Sequence, residues 1–336
     1  LAQLQQGDPP TVSTLINAYL RGACVSKPER TSAGIGALLT LDIFKANDVA
    51  FAVGGTQSIT DAMATRLEHR VVSGAEVVSV TEIDGLVTTR YRREGTEHAV
   101  TSRAAVVSTP PPITLDIVPN LPERKRRALE RIDYGPIVAV TVFFDRSIPW
   151  QRWSTLLCAD AVFSGATDVT YGTEADADPA NPVICNFFVS IPPDDKDEIR
   201  QLLAASDEDI VSSVIADLER VLSDERVAAH MIDARVTRYP IGELELSPEY
   251  YRDLLPDLPT PFGNIHFCGD YTHPYSFLEG AALSGFRAAR ELGSRHVVSD
   301  EDEVAFFDPP RWGPVGVSAL GSAALLTAAG LLRGGR

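Results

Sequence analysis

The sequence is short of lysine: of 30 basic residues among 336, only Lys27, Lys45, Lys125 and Lys196 are lysines, and the rest are arginines. Against 46 acids this leaves a formal charge of −16, which argues against a nucleic-acid partner or an anionic lipid surface as a general binding mode. The four cysteines, Cys24, Cys158, Cys185 and Cys268, lack any C-x-x-C spacing, which excludes a zinc cage and a disulfide framework and points to a reducing, cytoplasmic setting. The six histidines (69, 98, 230, 266, 273, 296) show no metal-ligand spacing, so no metal site is expected. Neither a G-x-S-x-G elbow nor a P-loop occurs, no segment repeats at 20 to 50 residues, and "LAQLQQGDPP" carries no secretory pattern. The lack of an initiator Met leads to the expectation that the sequence starts within a longer protein.

What is present is 44% hydrophobic content, enough for a large core. Residues 1 to 50 read as a small helical layer. "FAVGGTQSITDAMATRLEH" gives a Gly54-Gly55 turn and a helix with Ile59, Met63 and Leu67 spaced by four. The β-branched stretch after it, punctuated by Asp84-Gly85 and Glu94-Gly95, predicts strands joined by tight turns and ending on a buried strand, "AAVVS", before Thr109 and Pro110. From 113 to 262 a basic helix, the apolar strands "IVAVTVFFD" and "VICNFFVSI", and one long acidic helix suggest an α+β insert.

Residues 264 to 293 carry the strongest pattern. "IHFC" predicts a buried strand, Gly269 a sharp exit, and "SFLEGAALSGFRAAREL" a helix stopped by Gly293, with Ala281, Gly285, Ala288 and Leu292 on one face. Strand end, glycine turn and helix N-terminus form the crevice in which open α/β sheets hold cofactors, and the unpaired first-turn amides favour an electron-rich ligand group. Asp270 is placed to accept hydrogen bonds from sugar or ribityl hydroxyls.

This stretch resembles the C-terminal flavin motif of the FAD-dependent amine oxidase and phytoene desaturase superfamily. "GGTQSITDAMATRL", "EVVSVTEIDG" through "AAVVSTPPP", and "IDYGPIVAVTVFFDRSIPW" are similar to its other segments in order, over about residues 50 to 295. The resemblance implies FAD as cofactor and a mixed α/β plus α+β fold, in which a partial Rossmann-like FAD-binding domain is interleaved with a substrate domain. The expected boundaries are 1–50 (helical part of the substrate domain), 51–112 (FAD segment), 113–262 (substrate domain), 263–296 (C-terminal FAD segment) and 297–336 (linker and apolar tail).

Carried onto this sequence, the resemblance puts Gly54 and Gly55 near the cofactor and gives Val77 backbone contacts to adenine. Thr109 and Pro110 lie beside the dinucleotide, Gly269 and Asp270 meet the pyrophosphate and ribityl chain, and Glu279, Gly280 and Ala281 sit at the pyrimidine edge of the isoalloxazine. The family's N-terminal G-x-G-x-x-G unit is absent, and "GIGALL" does not replace it. Where amine oxidases carry a lysine near flavin N5 the sequence has Ala139, and where they carry a cage tyrosine it has Phe277.

The Gly-Asp-Tyr-Thr form resembles carotenoid and squalene desaturase relatives, so the expected substrate is small, apolar and isoprenoid-like, lined by Tyr239, Tyr275 and Phe277. Hydride would pass to flavin N5, with oxygen or a quinone as final acceptor and no nominated catalytic base. The alternatives are a flavin amine oxidase and a non-catalytic, truncated interaction or tethering module. The uncharged stretch 313–332 adds an expected membrane association through the tail.

Overall fold

The computed structural model describes residues 5, 10–45, 52–67 and 70–293. The expected linker and tail at 297–336, with its membrane stretch, lie outside the described residues. No described helix is long and apolar enough to cross a membrane. The chain divides into two compact units. One takes the described residues before Phe51 together with Asp133–Leu246, and the other takes Ala52–Ile132 with the described residues from Ser247 onward.

Along the chain run helices α1 (Pro10–Cys24), α2 (Ala33–Lys45) and α3 (Gln57–Leu67), then strands β1 (Glu76–Ile83), β2 (Leu86–Arg93), β3 (Thr96–Ser102) and β4 (Ala105–Val107). Next come α4 (Pro111–Ile117), α5 (Glu123–Glu130), β5 (Tyr134–Phe144), β6 (Thr155–Leu157), β7 (Gly165–Asp168), α6 (Glu174–Ala177) and β8 (Val183–Ser190). The last are α7 (Lys196–Ala204), α8 (Asp207–Leu222), β9 (Met231–Leu244), β10 (Ile265–Phe267) and α9 (Leu278–Glu291).

The first unit is built on an antiparallel sheet in the order β6-β7-β8-β5-β9. On β5 the strict alternation of "IVAVTVFF" buries Val138, Val140, Val142 and Phe144, which pack with Phe187 and Val189 of β8 and with Ile210, Val214 and Leu218 of α8. The expected single acidic helix is two, because Ser206 ends one and starts the next. Its hydroxyl accepts the Asp209 N–H at 3.1 Å, and Asp207, Glu208 and Asp209 place negative charge at the positive end of α8. Where this unit buries charge, it pairs it. Arg152 grips both oxygens of buried Asp168 at 2.7 and 2.9 Å, and Arg30 forks onto buried Glu245.

In the second unit β1, β2 and β3 form an antiparallel ribbon. Both turns have left-handed pairs, Asp84 and Gly85 at φ +51° and +76°, Glu94 and Gly95 at +50° and +76°, as two-residue hairpin loops require. Separately, β4 and β10 pair in parallel, Val107 beside Phe267, across 160 residues of chain. Only Val107 of β4 is buried, and Val106 is 40% exposed, so the strand expected to be wholly buried has one open side. Glu82 joins the ribbon to the start of β10 by accepting the Asn264 N–H at 2.7 Å. It passes so near Gly263 that an added Cβ would lie 1.9 Å from its carboxylate.

The compact units divide at 132/133 and 246/247. Lys125 lies on the helix read from sequence as basic. Its ammonium is buried over the Phe267 ring at 3.8 Å and donates to the carbonyls of Asp257, Leu258 and Thr260 at 3.2, 2.8 and 2.7 Å. It thereby fastens both 113–132 and 247–262 to β10. Burial, with Arg287 adding like-charge repulsion, pulls Lys125 down to about 7. Lys125 therefore contributes stability that rises with pH above about 7, opposed once the ordinary thiol range is reached by the four cysteines, whose pKa burial raises. Lys125→Met is expected to cost about 2–3 kcal/mol by stranding three carbonyls and to remove the rise in stability between about pH 7 and 8, both read from denaturant unfolding at pH 6 to 8.

Candidate flavin site

Parallel pairing of β4 and β10 brings their carboxyl ends side by side, so Ser108-Thr109-Pro110 and Cys268-Gly269-Asp270 leave the sheet as neighbours. Gly269 adopts φ +125°, ψ +165°, a conformation open only to glycine. Its N–H donates to Ser284 Oγ at 2.8 Å, while that hydroxyl donates to the Ala281 carbonyl at 2.6 Å, so the glycine turn is fixed against the second turn of α9. A second clamp joins α9 to β10. His266 Nδ1 meets Glu291 at 2.7 Å, and Arg287 bridges Glu291 and the Phe267 carbonyl, both at 2.7 Å.

The face of α9 that is buried is Gly280, Ser284 and Ala288, not the expected Ala281, Gly285, Ala288 and Leu292. The reason is Gly280. An added Cβ there would sit 1.5 Å from the Tyr275 carbonyl, so this glycine lets the 273–277 loop fold back onto the first turn of its own helix. Gly285 has nothing within 4 Å of a Cβ, and Leu292 is 47% exposed. The loop is held from below by buried Tyr250, whose hydroxyl donates to the carbonyl of His273 at 2.8 Å, with that of Tyr271 at 3.2 Å. His273 Nδ1 in turn accepts the Tyr275 N–H at 3.1 Å.

The amino end of α9 has no side-chain cap. Its first helical bond is Ala281 N–H to the Phe277 carbonyl at 2.9 Å, which leaves the amides of Leu278, Glu279 and Gly280 without a helical acceptor. Leu278 is 65% exposed and Glu279 is exposed, whereas Gly280 is buried against the Tyr275 carbonyl, so the end is open at its first two residues. Polarised amides, the positive end of a helix dipole and a glycine-only turn at two parallel strand ends fit an electron-rich cofactor edge.

Thr109 and Pro110 start α4: Thr114 Oγ1 donates to the Thr109 carbonyl at 2.8 Å, and the Thr114 N–H to the Pro110 carbonyl at 2.9 Å. Val77 stands near the start of β1, 36% exposed. Gly54 and Gly55, at φ +82° and +83°, form the exposed turn into α3, and the Gly55 N–H bonds only back to Ala52. Tyr275 and Phe277 meet edge to face at 4.9 Å, whereas Tyr239 belongs to the other unit, half exposed on β9. Ala139 lies half-buried on β5, on the side opposite the core valines. A cavity of about 820 Å³ lies wholly in the first unit, beside α1, and holds none of these residues.

Residues that sequence reasoning missed are Tyr250, Ser284, His266 and Glu291. Only Ser284 had a signal, as the polar residue inside the alanine-rich helix.

Residues 3–293 match the family described as Flavin containing amine oxidoreductase. The chain belongs to that family. It is an FAD-dependent oxidoreductase, with FAD as its cofactor. No curated protein matches the sequence. Among solved structures, a triple mutant of putrescine oxidase redesigned at its cofactor binding aligns with TM-score 0.67 at 20% identity, covering 88% of this chain and 67% of that one. Cyclohexylamine oxidase from Brevibacterium oxydans gives 0.66 at 16%, covering 87% and 67%. Wild-type putrescine oxidase bound to putrescine gives 0.56 at 21%, covering 72% and 53%. These likenesses show the mixed, Rossmann-like fold, and the chain spans between half and about two thirds of the proteins' lengths.

Three glycines of one motif should part company on substitution. Gly269→Ala is expected to lose about 2–3 kcal/mol through its backbone conformation, and Gly280→Ala at least as much through collision with the Tyr275 carbonyl. Gly285→Ala, in open space inside a helix, should gain about 0.5–1 kcal/mol. Thermal or denaturant unfolding of the three variants checks the order.

Proposed function

We propose that this protein oxidises a C–H bond beside an amine nitrogen, hydride passing to flavin. The observation that carries the reading is the uncapped, exposed amino end of α9 set at the joint carboxyl ends of β4 and β10. FAD, when bound, supplies the hydride-accepting ring. The amides of Leu278, Glu279 and Gly280 would stabilise negative charge on its pyrimidine edge, with Ala281 beside them, and these donors are fixed before the ligand arrives. Gly269 would admit the pyrophosphate to close backbone approach, Asp270 would take ribityl hydroxyls, and Thr109 and Pro110 would flank the dinucleotide. Val77, Gly54 and Gly55 would serve its adenine half.

The amine reading draws on the family's description and on the substrates in the structures' own names, putrescine and cyclohexylamine. Nothing in these comparisons supports the isoprenoid-like substrate expected from the Gly-Asp-Tyr-Thr form. The edge-to-face pair of Tyr275 and Phe277 gives an apolar wall suited to the carbon part of such an amine. A neutral amine is the form that gives up hydride, and with Ala139 at the lysine position of related oxidases, proton removal falls to solvent.

Two measurements test this. Anaerobic mixing of the FAD-loaded protein with putrescine, cyclohexylamine or benzylamine should bleach the flavin absorbance; bleaching by none of them would sink the amine reading. Leu278→Pro removes one free amide at the first helical position, where proline is tolerated and Phe277 is already extended. It should weaken FAD binding about tenfold, the worth of one hydrogen bond to a charged group, with the melting temperature unchanged. Equal FAD affinity would show that this end does not touch the cofactor.

A further inference from the structure

The cavity of about 820 Å³ in the first unit is bounded by α1, the 159–162 segment, the end of β8 and helices α7 and α8, and its size falls within the roughly 300–1,000 Å³ of small-molecule sites. It lies on the α8 side of the sheet. Val189, in its wall, pairs across the strands with core-facing Val138, whereas Ala139 faces the other way. Thr14, Ala18 and Arg21 recur on one face of α1, so the helix turns Arg21 into this space.

Every other described arginine of this unit faces a carboxylate, whereas Arg21 has none within ion-pair distance among the described residues. Its guanidinium meets carbonyls instead. Nη2 donates to Ala161 at 2.8 Å, while the contacts of Nη2 to Cys158 and of Nη1 to Ala159 are long, at 3.4 Å. Nε is buried and has no acceptor. Burial pulls the pKa of Arg21 below its ordinary value, the mark of a charge that its surroundings compensate incompletely. Such a charge gains from an anion placed against it. The backbone beneath is fixed, since Ser190 Oγ, buried in the cavity wall, donates to the Arg21 carbonyl at 2.8 Å.

The other charges of the lining are paired or solvated. Lys27 bonds Asp195 at 2.7 Å, Asp160 and Asp217 both take Arg220, at 2.9 and 3.0 Å, and Glu198 is exposed on α7. One cation is therefore left for a ligand, which suits a single negative charge and disfavours a phosphate dianion among these acids. Ala18, Val162, Val189 and Leu202 make much of the remaining wall apolar. We propose that this cavity binds a monocarboxylate with an apolar body, its carboxylate on Arg21 and its carbon chain against Ala18, Val162, Val189 and Leu202. A ligand held there bridges α1 to α7 and α8 and stabilises the first unit as its concentration rises.

The test is calorimetric titration of the full chain with octanoate, octanol and inorganic phosphate. Octanoate is expected to bind about tenfold or more tighter than either control, the worth of a hydrogen bond to a charged group. Arg21→Gln keeps an amide donor and removes the charge, and should bring octanoate down to the affinity of octanol. Val162→Trp acts without touching the arginine. Val162 is 43% exposed at the cavity wall, so the indole fills the space without entering the core. This variant should lose about tenfold in octanoate affinity by exclusion, with the melting temperature of the ligand-free chain unchanged. Octanoate bound no tighter than octanol or phosphate overturns the proposal, as does an octanoate affinity that survives Val162→Trp or survives Arg21→Gln in folded protein.

Discussion

The second unit depends on one long-range constraint, the parallel pairing of two three-residue strands that lie 160 residues apart in the chain. Six residues of ladder cannot hold such a pairing alone, and the contacts around it show how it is held. Lys125 fastens the incoming 257–260 segment by three carbonyls, Glu82 fixes Asn264 at the strand's entry, and His266 with Arg287 and Glu291 locks α9 along its length. Each of these groups is polar and at least partly buried, so the clamp is specific about geometry in a way that a greasy contact is not. Its product is the placement of Gly269 and the amino end of α9 within one hydrogen bond of each other through Ser284.

That arrangement separates scaffold from chemistry within a single motif. Gly280 looks from sequence like a glycine kept small for a ligand, yet its missing side chain is filled by the carbonyl of Tyr275. Its lack of a side chain lets the 273–277 loop fold against the first turn of the helix. Gly269 differs, because its backbone conformation turns the chain at the sheet's carboxyl edge. The aromatic pair Tyr275 and Phe277 rides on the same loop, which Tyr250 pins from the core. The proposed flavin edge and the proposed substrate wall therefore share one support.

Much of this was legible in the sequence because it is local. The hairpins follow from Asp-Gly and Glu-Gly, the β5 core from strict alternation, and the end of α9 from Gly293 in the left-handed region. The reading failed where one distant partner decides the outcome. Lys125 sits in a run of arginines on a basic helix, and nothing nearby reveals that three carbonyls from residues 257–260 will enclose it. The split at Ser206 rests on one capping residue within continuous acidic, helix-favouring composition. The open side of β4 could not be foreseen from "AAVVS", since an apolar strand looks the same whether or not its neighbour is present.

On the proposed reading the first-turn amides of α9 meet the flavin. Amide hydrogen exchange of the full chain with and without saturating FAD measures this at the residues concerned. Slowed exchange is expected in the peptide spanning 276–284 and in the segments following β4 and β10, with the β5–β8 sheet of the other unit unchanged. Unchanged exchange at 276–284 under conditions where FAD is bound would contradict it.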